Sequence, residues 1–309
     1  MKSVPLVTAL SLAAAPVAFQ PAPGRVDVII DGKLFTTFHY EESWDKPFLH
    51  PLRTPSGIVV SRGFPVEKIA GESEDHTWQR GIWYSGEISG VDFWRELGRE
   101  KTGRLVVRGF PKVRAGSESG TLEAVVELVA PDQRKIGSLE QRLVFRRARD
   151  NYWIDLRITV RADQAQPLKF EDSEECCLGV RLADEFRQDR GAILRNSEGL
   201  VGTEKIWGKA ARWVDYSATR LGRKAGVAVF DHPSNPRHPT YWHARGYGLN
   251  AANPVGLRSF TKDKSRDGRL LIPKGGSVTF HYRVVIHDGD ADDAGIEKLY
   301  SAFAAEKVK

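Results

Sequence analysis

"YWIDLRITVR" (Tyr152–Arg161) sets Tyr152, Ile154, Leu156, Ile158 and Val160 at alternate positions, with Asp155, Arg157, Thr159 and Arg161 between them. A period of two is the mark of a strand with one face buried and one face wet. The same alternation recurs on either side. Leu122, Ala124, Val126 and Leu128 alternate with Glu123, Val125 and Glu127, and Val278, Phe280, Tyr282, Val284 and Ile286 repeat the pattern near the end. Such half-exposed strands belong to antiparallel sheets, since parallel strands are apolar on both faces. Turn-forming stretches separate them, "DGK" at 31, "SESG" at 117 and "KGG" at 274. The expected fold class is therefore mainly β, a large antiparallel β-sandwich. One helix closes the chain. Asp290 suits its N-cap, Asp292 and Asp293 its first turn, and Ile296, Leu299, Tyr300 and Phe303 form an apolar stripe at i, i+3, i+4 and i+7. No linker, repeat or low-complexity tract interrupts the pattern, so residues 24–309 read as a single domain.

The chain of 309 residues, 41% hydrophobic, is long enough to bury a large core. Its first residues, "MKSVPLVTALSLAAAPVAFQPAPG", place one lysine before an apolar run that ends in small residues and prolines. That is the pattern of a secretory signal peptide, assigned to residues 1–23. The mature protein is expected in the periplasm or outside the cell. No later stretch approaches the roughly 18 apolar residues of a membrane helix, so no span is expected after signal removal. Cys176 and Cys177 are adjacent, and disulfide partners prefer Cα atoms further apart than one peptide allows, so they read as small buried residues. The net charge of +6 comes from dispersed basic residues interleaved with 40 acids. Without a nucleic-acid motif, that charge points away from nucleic acid and stays compatible with an acidic glycan.

Four loop-rich islands interrupt the alternation and gather the chemistry-bearing side chains. "KPFLHPLRTPSG" carries His50 and Arg53; "EDHTWQRGIWYSGEISGVDFW" carries His76, Arg80, Trp83 and Trp94. "FEDSEECCLGVRLAD" carries Asp172, Glu174, Glu175 and Arg181. "FDHPSNPRHPTYWHARGYGLNAANP" carries His232, Asn235, Arg237, His238, Trp242, His243, Arg245, Tyr247 and Asn253. On a functional reading these loops converge on one pocket. There His76 or His243 exchanges protons with Glu175, because a histidine titrates near neutrality and burial lifts a carboxylate towards it. Arg53, Arg80, Arg181 and Arg245 then orient hydroxyl or carboxylate groups, while Trp83, Trp94 and Trp242 offer ring faces to a sugar. His50, His232, Asn235, Arg237, Tyr247 and Asn253 complete the expected ligand-binding set. On a structural reading the same polar groups tie long loops to the sandwich and most tryptophans are core.

His232, His238 and His243 are spaced by six and five, which matches neither a helical zinc pair nor a compact structural-zinc pattern, so no metal ligands and no cofactor are assigned. A divalent ion held by histidines from separate loops stays open as a lesser reading. No Gly-x-Ser-x-Gly elbow, phosphate loop or dinucleotide fingerprint is present.

The islands, together with "SEGLVGTEKIWGKAARWVDYS", resemble a family of exported bacterial proteins labelled "methane oxygenase PmoA" or of unknown function. That family carries two histidines before Arg-Gly in the second island; here Trp78 and Gln79 stand there and His76 is retained. The resemblance implies a large β-sandwich related to the galactose-mutarotase-like supersandwich and a sugar-handling role. Three functions follow as expectations. The first is acid-base cleavage or isomerisation of a sugar or glycoside by an exported enzyme. The second is a non-catalytic glycan-binding module, and the third, invited by the label, a metal-dependent oxygenase.

Overall fold

The computed structural model describes residues 16–148 and 150–307, and among them twenty strands form three antiparallel sheets. Sheet one runs, in spatial order, β1 (Val17–Ala22), β2 (Arg25–Ile30), β3 (Lys33–His39), β4 (Phe48–His50), β5 (Ile82–Ser85), β13 (Cys177–Arg181), β18 (Leu249–Asn253) and β17 (Tyr241–Arg245). Sheet two runs β14 (Ile193–Asn196), β15 (Trp213–Arg220), β16 (Arg223–Asp231), β20 (Ser277–Asp288), β11 (Asn151–Arg161), β10 (Lys135–Arg147), β9 (Ser119–Val129) and β8 (Arg104–Arg114). A small third sheet holds β19 (Leu270–Ile272), β12 (Leu168–Phe170), β6 (Glu87–Ile88) and β7 (Val91–Asp92).

The fold class is as the alternation predicts. β11 lies inside sheet two, with Ile154 opposite Phe145 on one side and Val284 on the other. Its alternate residues Ile154, Leu156, Ile158 and Val160 are buried with Val28, Phe38, Ile82 and Leu178 of sheet one in a common core. The hairpin between β2 and β3 turns on Asp31 (φ 49°) and Gly32 (φ 75°), both left-handed, which is the two-residue turn that matches strand twist.

β1 joins the two sheets. It pairs with β2, Val17 exchanges backbone hydrogen bonds with Gly116, and Phe19 packs edge-on to Phe145 of β10 at 5.8 Å. Residues 1–15 of the expected signal segment lie outside the described residues, whereas Val17–Ala22 form this strand. The described fold thus reaches into the segment assigned to export, because "VAFQPA" extends an apolar run with residues that also suit an edge strand.

Among the described residues three short α-helices, α1 (Thr203–Ile206), α2 (Leu257–Thr261) and α3 (Ile296–Ala304), and two single-turn 3-10 helices complete the fold. α3 starts later than Asp290 suggests. Asp290 accepts the N–H groups of Asp292 and Asp293 in a turn, and Gly295 is the N-cap residue. Tyr300 and Phe303 pack on Phe230 of β16, on the outer face of sheet two. Cys176 and Cys177 are buried, as expected, but they are bridged to each other across a cis peptide instead of standing free. No described helix is long and apolar enough to cross a membrane.

Candidate functional site

Four strands of sheet one build the floor. The register places Trp83, Gly179, Ala251 and His243 in one row across β5, β13, β18 and β17. Their sequence neighbours Ile82, Val180, Ala252 and Trp242 turn into the core, so the row faces outward. Trp83 lies across Gly179, where any Cβ would enter its ring, and packs on Trp94 at 5.0 Å. Loop 62–80 is fastened over this floor by a buried charge knot. Arg181, fully buried, donates to Gln79 Oε1 at 2.6 Å and to Asp75 Oδ1 at 2.8 Å, and Arg62 donates to the same carboxylate and to the His76 carbonyl. Burial pushes the Asp75 carboxyl up, but Arg181 and Arg62 outweigh it and hold Asp75 below the usual range.

The rim of the floor carries the titratable groups. His76 stacks on Tyr247 with ring centres 5.3 Å apart and meets Trp78 edge-on at 5.4 Å, and its Nδ1 lies 3.2 Å from Asp75 Oδ2. His243 is only 6% exposed and meets Trp207 edge-on at 6.4 Å. Its Nδ1 has no hydrogen-bond partner, since Glu174 Oε2 stands 3.9 Å away. Burial, and then the positive charges of Arg245 and His76, bring His243 down to about 3, so its imidazole is neutral. Glu175 turns instead to Arg95, whose Nε is 3.2 Å from its carboxylate. Burial raises the Glu175 carboxyl, opposed by Arg95 and assisted by Asp92 and Glu174. The carboxylate facing His243 is thus Glu174, with Glu175 beside it. Two histidines, the Glu174 carboxylate and three aromatic rings therefore gather at one edge of sheet one, with Glu175 adjoining and turned to Arg95. Such a set can move a proton and grip a ring-shaped polar ligand.

A family model described as "Family of unknown function (DUF6807)" matches residues 25–301. The chain belongs to this family. The match carries no methane-oxygenase label, so that part of the sequence resemblance is not supported. No curated protein matches the chain. Among solved structures, the DUF6807 chain is similar to a candidate aldose 1-epimerase from Klebsiella pneumoniae (9% identity, 92% of this chain and 84% of that one, TM-score 0.46). It is also similar to a galactose mutarotase-like protein from Lactobacillus casei (9% identity, 88% and 100%, TM-score 0.37). At these scores the likenesses carry no activity and no residue correspondence.

Most other predicted site residues of the DUF6807 chain are bound into the protein. Arg80 is buried against Glu96, which also accepts from Lys46, and lies over Trp44 and Phe48. His50 is buried beside Ser61, and burial, then His39 and Arg53, lower it to about 3. Trp242 is core, its indole N–H donating to the Ala211 carbonyl. Asn253 caps the backbone N–H groups of Val255 and Gly256, and Arg237 donates to the carbonyls of Pro254, Gly268 and Arg269. His232 packs against Phe303 of α3, and Asn235 bonds Asp231 and the His281 backbone, both away from the rim. Arg53 lines a separate hollow with Leu34 and Tyr152. Only Arg245 and Tyr247 of this wider set stand at the rim with His76 and His243. Among the described residues no three His, Cys, Asp or Glu side chains are grouped as metal ligands.

Glu174, Trp78, Trp207 and Lys262, to which the sequence pattern assigns no site role, share this rim. Trp207 lies within the quoted "SEGLVGTEKIWGKAARWVDYS" and Glu174 precedes the chosen Glu175, so both were visible. Only folding shows which of two adjacent carboxylates turns to His243.

Proposed function

We propose that this DUF6807 chain is a carbohydrate-active enzyme that isomerises or cleaves a sugar or glycoside by proton transfer at the outer edge of sheet one. The observation that carries the reading is the meeting of His243, Glu174 and His76 beside Trp78, Trp207 and Tyr247. Glu175, whose carboxyl burial raises above the usual carboxylate range, is the one of the two carboxylates suited to act as general acid. Glu174 and His76 are the more exposed groups and suit proton acceptance. A histidine at about 3 is a weak base, so His243 serves to orient a substrate hydroxyl through its unpartnered Nδ1.

Turnover of neutral and acidic sugars and their glycosides, followed by product analysis, tests the reading. Once an active substrate is found, His76→Gln, Glu174→Gln and Glu175→Gln should each lower turnover by about 100-fold or more. Full activity in all three sinks the proton-transfer roles. A glycan-binding module without chemistry is favoured by the low basicity of His243. It predicts saturable binding with no product. Export is part of the proposal, and fractionation of producing cells, with the mature protein staying in the cytoplasm, would remove it.

A further inference from the structure

Trp207 holds two cations at the rim. Lys262 Nζ lies 4.7 Å and Arg245 Cζ 6.0 Å from its ring centre, and both side chains are exposed. Neither makes an ion pair with a carboxylate among the described residues, although surface arginines elsewhere pair locally, as Arg161 does with Glu140 and Arg269 with Asp267. Attraction between a cation and an indole face positions a charge without neutralising it. Lys262 is further fixed as the left-handed residue that ends α2, at φ 58°. On the same two rings, which meet edge-on, two buried groups lack partners, Nδ1 of His243 and Nε1 of Trp207.

We infer that the ligand of this site carries a carboxylate, received between Arg245 and Lys262, so that the substrate class is a uronic acid or its glycoside. The inference rests on the sugar reading above. A guanidinium fork and an ammonium together suit one carboxylate, and the two orphaned ring nitrogens suit the hydroxyls of the same sugar. Glu174 at the same rim disfavours a more highly charged group.

Calorimetry on the full chain tests this with D-glucuronate, D-galacturonate, D-glucose, D-galactose and glucose 6-sulfate. Each uronate should bind at least about 10-fold more tightly than its neutral partner, the scale of one charge-assisted contact. In Arg245→Gln/Lys262→Asn the gap should close to within about 2-fold, because one tenfold term is then gone. Both positions are exposed and Asn accepts the left-handed backbone, so an unchanged thermal midpoint accompanies the variant. Neutral sugars or the sulfate binding as tightly as the uronates, or a preference that survives the double substitution, overturns the uronate assignment and leaves a sugar site standing. No binding of any of these probes overturns both.

Discussion

His243 and His50 stay uncharged because the fold offers each a dry pocket and no anion within bonding reach. Their folded values, about 3, lie below the unfolded value near 6.5, so below that pH the unfolded chain binds more protons than the native one. The stability they permit is therefore complete above about pH 6.5 and falls as pH drops towards about 3, by about 1.4 kcal/mol per unit for each group. Thermal midpoints measured from pH 7 to 4 should fall steeply, and less steeply in His243→Gln or His50→Asn. An unchanged slope in both variants would show that these histidines are not buried neutral. Glu96 gives the opposite case. It serves both Arg80 and Lys46, and burial lowers Lys46 to about 8 even with that partner present. Glu96→Gln leaves two buried cations short of an anion and should cost about 3–5 kcal/mol in a urea titration. A loss under 1 kcal/mol would mean that solvent reaches them.

At the scale of elements, β13 and β18 show why the site was harder to read than the fold. Both are buried at every position, one side in the core and the other under the loops, so no alternation marks them. β9 and β11 have an exposed or half-exposed face and show period two, and β20 keeps the same alternation of apolar and polar residues although α3 covers the outer face of its second half. The strands carrying Gly179, Ala251 and His243 were instead seen as islands of unusual residues, which located the neighbourhood of the site without its floor. Polar residues there divide into those that fasten loops, such as Arg181 and Asn253, and those left at the rim, and spacing alone does not separate the two. The shape of β13 makes one test direct. Gly179→Ala would press a methyl group into the Trp83 ring and should destabilise by about 1–3 kcal/mol through overpacking. Trp83→Leu in that background should recover part of the loss, and no recovery would rule out the proposed contact.

The whole molecule depends on its amino-terminal strand. Val17 is completely buried and Phe19 packs on Phe145, so β1 seals the seam between the sheets. A chain beginning at Gly24 should therefore melt roughly 5–15 °C below one beginning at Pro16, from the apolar area lost. Equal midpoints would show that the strand is dispensable. The sandwich itself was legible from alternation and turns, and the terminal helix from its stripe. The start of the fold was not, because an apolar run ending in Ala and Pro has the same composition whether it is removed or woven in. That strand also imposes an order of assembly. Its ladder with β2 is local and forms as soon as both are made, but Gly116, Gly120 and Phe145, against which it lodges, follow roughly a hundred residues later. On a ribosome, β1 emerges well before these partners and must wait with its apolar side uncovered until β10 has been synthesised.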